Sequence, residues 1–255
     1  MPPAKVARVV VLALVLAAVA TGVAAGDEAL VEVDNIVLRA DAGFQPQTLP
    51  KRRFAPVHLV GHLDLSARRG APLLPLRQAL IGLDRDGRLS VAGLPSCAPE
   101  SIAQEGTAAA RRTCRGAIVG SGHVGAEIAL PGGAVQTTVP LTIFNGPRLA
   151  TGPSVVLHAR TAVPEPEVYA ILVPIERLHG GFRYRARIDL PPLAGGLGAL
   201  SHIDARIGRR YSAGGRSRSY VSARCSDNVL QTRGSFTFAD GTEIAGLIEK
   251  FCADK

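Results

Sequence analysis

Along most of this chain, runs rich in Val, Ile and Leu alternate with polar residues and are cut every eight to twelve residues by Gly, Pro, Asn or Asp. Short segments with that rhythm read as β-strands, whose side chains point alternately to the two faces of a sheet. The pattern predicts strands over 29–38, 57–65, 79–84, 88–92, 116–130, 137–144, 154–160, 168–175, 182–190, 202–209, 219–226, 229–238 and 244–251. The expected fold is therefore mainly β, an antiparallel sandwich or a barrel-like sheet. Asp86-Gly87 and Asp240-Gly241 lie between apolar runs and suit tight turns, so Leu80 to Val91 and Phe236 to Ile248 are predicted hairpins. Residues 40–56 read as a polar, basic surface connection, Val163 to Glu167 as a stiff crossover, and the apolar stretch Asp189 to Leu200 as a buried one.

One segment departs from the β rhythm. Pro99 to Thr113 is rich in Ala, Glu, Gln and Arg and predicts one short helical segment, 99–113. A straight helix there would hold Cys97 and Cys114 roughly 25 Å apart, too far for a bridge. A break at Gly106-Thr107 lets the chain fold back, so Cys97 pairs with Cys114 and Cys225 with Cys252 by proximity in sequence.

Two basic residues, Lys5 and Arg8, precede an unbroken apolar run from Val9 to Ala20 and then small residues through Ala25. This is the pattern of a signal peptide, 1–25, followed by a single exported domain, 26–255. The run is too short to span a bilayer, and no cysteine stands near the cleavage site, so no transmembrane or lipid anchor is expected. Export to the periplasm, the cell envelope or the medium makes disulfides the natural state of the four cysteines.

Composition narrows function mainly by exclusion. The chain has no Trp and few other aromatics, which leaves scarce stacking platforms for sugars or single-stranded nucleic acid. Its net charge is +8, and all but four of its 29 basic residues are arginine. Arg183, Arg185 and Arg187 share one face of a predicted strand, and Arg206, Arg209 and Arg210 follow on another. Paired strands would make a cationic surface for anionic cell-envelope polymer or lipid headgroups.

No motif carries decisive chemistry. Gly120-Ser-Gly122-His-Val-Gly125 spells a dinucleotide fingerprint, but Pro131-Gly132-Gly133 forbids the helix such a site needs; the glycines read as strand bends, and no nucleotide or other cofactor is implied. Ser121 lacks the flanking glycines of a nucleophile elbow. His58, His62 and Asp64 share a strand face, the geometry of a two-histidine, one-carboxylate metal site, but a third ligand cannot be named, so the face reads as solvated and no metal is assigned. Asp84 and Asp86 lack the further ligands of a calcium loop.

Cys97-Ala-Pro-Glu with Cys114-Arg-Gly-Ala-Ile-Val, Pro140-Leu-Thr-Ile-Phe-Asn-Gly146, and Tyr220-Val-Ser-Ala-Arg-Cys225 resemble stretches of uncharacterised, signal-bearing exported proteins of GC-rich bacteria. The resemblance implies a single exported module with local cysteine pairing, and carries no catalytic residues. Three function classes follow: a non-enzymatic binding module contacting anionic polymers, a secreted hydrolase or metal-dependent enzyme built from distant residues such as His58, His62, Asp64 and His123, and a carrier of apolar ligands. The last requires a continuous cavity between the β layers.

Overall fold

The computed structural model describes residues 28–68 and 71–252; the predicted leader lies outside them. The strands of the first half are β1 (Ala29–Val33), β2 (Ile36–Gln45), β3 (Ala55–Pro56), β4 (His58–Ala67), β5 (Leu76–Asp84), β6 (Gly87–Leu89), β7 (Ile118–Leu130) and β8 (Gly133–Asn145). Then come β9 (Ser154–Thr161), β10 (Glu167–Arg177), β11 (Phe182–Asp189), β12 (Gly198–Ile207), β13 (Arg210–Ala213) and β14 (Arg216–Ser219). β15 (Val221–Ala223), β16 (Val229–Phe238) and β17 (Glu243–Phe251) complete the set, and α1 (Thr107–Thr113) is an α-helix.

Twelve strands form one antiparallel sheet in the order β1-β2-β4-β12-β7-β8-β9-β10-β11-β5-β16-β17, curled until its first and last strands meet. The mainly β, barrel-like expectation holds. At the seam the edges touch through side chains: Lys250 of β17 reaches Asp41 of β2 at 2.8 Å. Inward positions are apolar, as in β4, where Leu63 and Leu65 are buried while His62 and Asp64 face out. Gly120 and Gly122 let β7 lie close on β12, since a Cβ at Gly122 would meet the Asp204 carbonyl.

Several expectations are corrected. The 29–38 run is a hairpin, because Asp34 takes a φ of 51° and turns the chain between β1 and β2. Residues 40–45, expected as a connection, continue β2. The Asp86-Gly87 hairpin does not form. β5 stays in the barrel while β6 leaves it to pair with β15, which also pairs with β3 in a three-stranded cap. Asp86 causes the departure: wholly buried, it accepts the Arg224 Nε–H and the Ser226 N–H, both at 2.7 Å, and ties β6 to the chain after β15. The 219–226 run is likewise split between β14 and β15. By contrast, Asp240-Gly241 turns the β16–β17 hairpin with Gly241 at φ 88°.

Both disulfides form as expected, with Cα separations of 5.6 Å for Cys97–Cys114 and 6.0 Å for Cys225–Cys252. Such bridges belong to oxidising compartments. The predicted helix breaks at Gly106, the N-cap of α1, and Cys97, Ile102 and Ala110 pack outside the barrel against Phe144 and Val156. No described helix is long and apolar enough to cross a membrane.

Candidate functional site

The bore of the barrel is a cavity of about 280 Å³ to which every strand of the large sheet contributes, from Val31 on β1 to Ile244 on β17. Its lining is mainly aliphatic, with Phe236 and Tyr169 as aromatic members and Asp41, His62, Thr137, Thr161 and Thr232 as the polar ones. The space exists because inward positions that could carry large side chains carry Ala40, Ala79, Ala159 and Ala205, or glycine. A Cβ added at Gly61 would meet nothing within 4 Å, and one at Gly246 only the Ala29 Cβ at 4.0 Å.

One end of the bore is plugged. Phe44, Leu49, Tyr184 and Tyr220 pack beneath the three-stranded cap and close it. Toward the other end the wall is incomplete. β8 pairs with β9 only between Thr142–Asn145 and Val155–His158, and β10 pairs with β11 only between Ile175–Arg177 and Tyr184–Ala186. A proline stands just past each stop, Pro140 on β8 and Pro174 on β10, and cannot donate to a ladder. The outer half of the β9–β10 hairpin is therefore a strap with two unpaired edges. Thr137 and Val139 line the cavity beside one edge, Ile188 and Leu190 beside the other.

The strap is held at two points. On the inside, the Tyr169 hydroxyl donates to Glu167 at 2.5 Å and accepts the Ala194 N–H at 2.8 Å. Burial and the Glu167 carboxylate push this phenol up to about 12. Ala194 belongs to the 189–200 connection, which is buried at Ala194 and Leu200 but leaves Leu197 half exposed across the open end. On the outside, His158 is wholly buried against Phe144, and its Nε2 meets the Glu105 carbonyl at 3.0 Å. Burial lowers its pKa.

Comparison with family models, curated proteins and solved structures finds no match to this chain. Its site is read from geometry alone.

The sequence-predicted residues are scattered. β11 and β12 lie on different parts of the sheet and do not pair, so the six arginines make no common face. Arg185 is bound to Glu176, Arg187 to Asp189, Arg206 to the Gln45 side chain, and Arg209 to the Gly116 and Ile118 carbonyls. Arg210 begins the β13–β14 arm. Arg183 instead joins Arg88 and Arg224 around the Phe54 ring, each guanidinium 5.3–5.6 Å from its centre. Lys51, Arg52 and Arg53 directly precede Phe54 in the chain.

The histidines separate as well. His58 stands by Gly208, where burial, Arg206 and Arg210 lower its pKa. His62 and Asp64 remain together, joined by His202 of β12: Asp64 accepts from His62 Nε2 at 2.7 Å and from His202 Nδ1 at 2.8 Å. His123 lies one strand further, opposite Asp204. Sequence reading missed His202, although His202-Ile-Asp204 repeats the His62-Leu-Asp64 pattern.

Proposed function

We propose that this chain is an exported, non-enzymatic carrier that holds a small apolar molecule or a single hydrocarbon chain in its barrel. The observation that carries this reading is the aliphatic bore. Water finds few partners in such a lining, whereas an apolar occupant recovers the contacts that the inward alanines and glycines leave unmade. The exterior is polar, as Arg39, Asp64, His62 and Asp204 illustrate, the reverse of a barrel whose outer face meets lipid. The two strap edges supply lateral access, and the leader-like N-terminus with two disulfides fits work outside the cytoplasm.

The test is titration of organic-solvent-stripped protein with a fluorescent fatty-acid analogue, together with mass spectrometry of whatever co-purifies. Saturable binding is expected. Ala159→Phe or Ala205→Leu, which fill the bore, should weaken it about tenfold or more while leaving the fold intact. Absence of saturable binding together with no co-purifying apolar molecule would overturn the reading.

A second reading rests on the Phe54 cluster. Arg88 and Arg183 on the Phe54 ring, with Lys51, Arg52 and Arg53 directly before it in the chain, place positive charge on the cap, whereas Arg224 is balanced by Asp86; this is a contact surface for anionic polymer or lipid headgroups. Retention on a polyanion matrix should fall steeply with salt and with Arg88→Ala plus Arg183→Ala. Salt-independent retention would remove it.

A further inference from the structure

The two His-x-Asp sequences lie directly across from one another on the outer face of the barrel. β4 and β12 run antiparallel, and their register sets His62 opposite Asp204 and His202 opposite Asp64. Opposed side chains on one face have Cβ atoms about 5 Å apart, so two imidazoles and two carboxylates occupy a single patch. Three of the four already converge: one ligand atom each from His62, Asp64 and His202 lies within 4.8 Å of the others. The imidazole rings are 5.0 Å apart and inclined at 70°, so both turn a nitrogen toward the same carboxylate.

The backbone around the patch favours small neighbours. Gly125 stands opposite His202 on β7, and a Cβ there would come within 3.1 Å of the His202 Cβ. Its absence gives the imidazole room beside Asp64. All ligands sit on two strands in the interior of a twelve-stranded sheet, which fixes their spacing more firmly than loops would.

The geometry points to a divalent transition-metal site formed by His62, Asp64 and His202. Two imidazoles and one carboxylate suit zinc and its neighbours in the first row, and leave the remaining coordination positions to water or an outside ligand. Tetrahedral zinc, with bonds of about 2.0–2.1 Å, needs donor atoms about 3.3 Å apart. Each imidazole nitrogen now lies 2.7–2.8 Å from an Asp64 oxygen, so a bound ion would replace these two hydrogen bonds. Asp64 and His202 lie outside the lining of the bore, and His62 of β4 borders both the bore and the site.

The experiment is calorimetric titration of untagged, chelator-stripped protein with Zn²⁺, repeated with Co²⁺ and read by visible absorption. One ion per chain is expected, with a cobalt d–d band that zinc abolishes. His62→Ala, His202→Ala and Asp64→Ala should each lower zinc affinity about tenfold or more, while His58→Ala and His179→Ala leave it unchanged. Because the three ligands are partly exposed on an outer face, the variants keep the far-ultraviolet circular dichroism of the parent. Failure to bind a stoichiometric ion, or equal affinity in a His62→Ala, His202→Ala double variant, would overturn the assignment.

Discussion

At the capped end, inward positions carry Phe44, Tyr184 and Tyr220, and the buried carboxylate of Asp86 ties the chain after β15 to β6. Toward the other end the sheet carries Leu38 on β2, Ala79 on β5, Ala159 on β9 and Thr137 on β8, and the wall between β8 and β11 is left partly unbonded. Phe238, Leu65 and Leu73 are buried at that second end as well, so the contrast lies in how completely the wall is bonded. Stability should reside in the first and ligand exchange in the second.

The sharpest way to break that contrast is Asp86→Ala. It strands Arg224 and the Ser226 N–H at the cap and should cost about 3 kcal/mol, measured by urea unfolding. In protein that remains folded, affinity for the apolar probe should stay within about twofold of the parent, because the cap does not line the bore. Loss of binding without loss of stability would reverse the division of labour.

Tyr169→Phe probes the open end. It removes the hydroxyl shared by Glu167 and the Ala194 N–H and should cost about 1 kcal/mol. Probe release followed by stopped flow should quicken more than binding weakens if the strap gates exchange. Unchanged release would show that ligand passes elsewhere.

The smallest expected effect is a pH slope. His158 is held below its ordinary value by burial, so in acid the unfolded chain binds more protons than the folded one. Stability is then full above the unfolded value of about 6.5 and declines as pH falls through it. His58 adds a contribution of the same sign. His158→Gln, which keeps a donor for the Glu105 carbonyl without titrating, should flatten the decline between pH 7 and 5 in thermal melts. An unchanged slope would place its origin away from the strap.

What could be read in the sequence depended on range. The β16–β17 hairpin, the helix break at Gly106 and both disulfides were legible because their signals lie within a few tens of residues. Asp86 misled because its partner is Arg224, 138 residues away. The cavity was hidden for a different reason: Gly61 in a strand looks like weak core, and only closure of the sheet shows that nothing stands opposite it. His202 required register. Its motif was visible, but its place across from Asp64 follows from a pairing between strands far apart in the chain.

The seam between β2 and β17 has a further consequence. A barrel closed by a continuous ladder has its radius set by strand number and shear, so its girth changes only in whole steps. Here the circuit is completed by the Lys250–Asp41 ion pair and the approach of Ala29 to Gly246. Side chains can lengthen or shorten that last link by fractions of an ångström. The circumference at this seam is therefore set by side-chain contacts and not by a ladder step, as in a split ring.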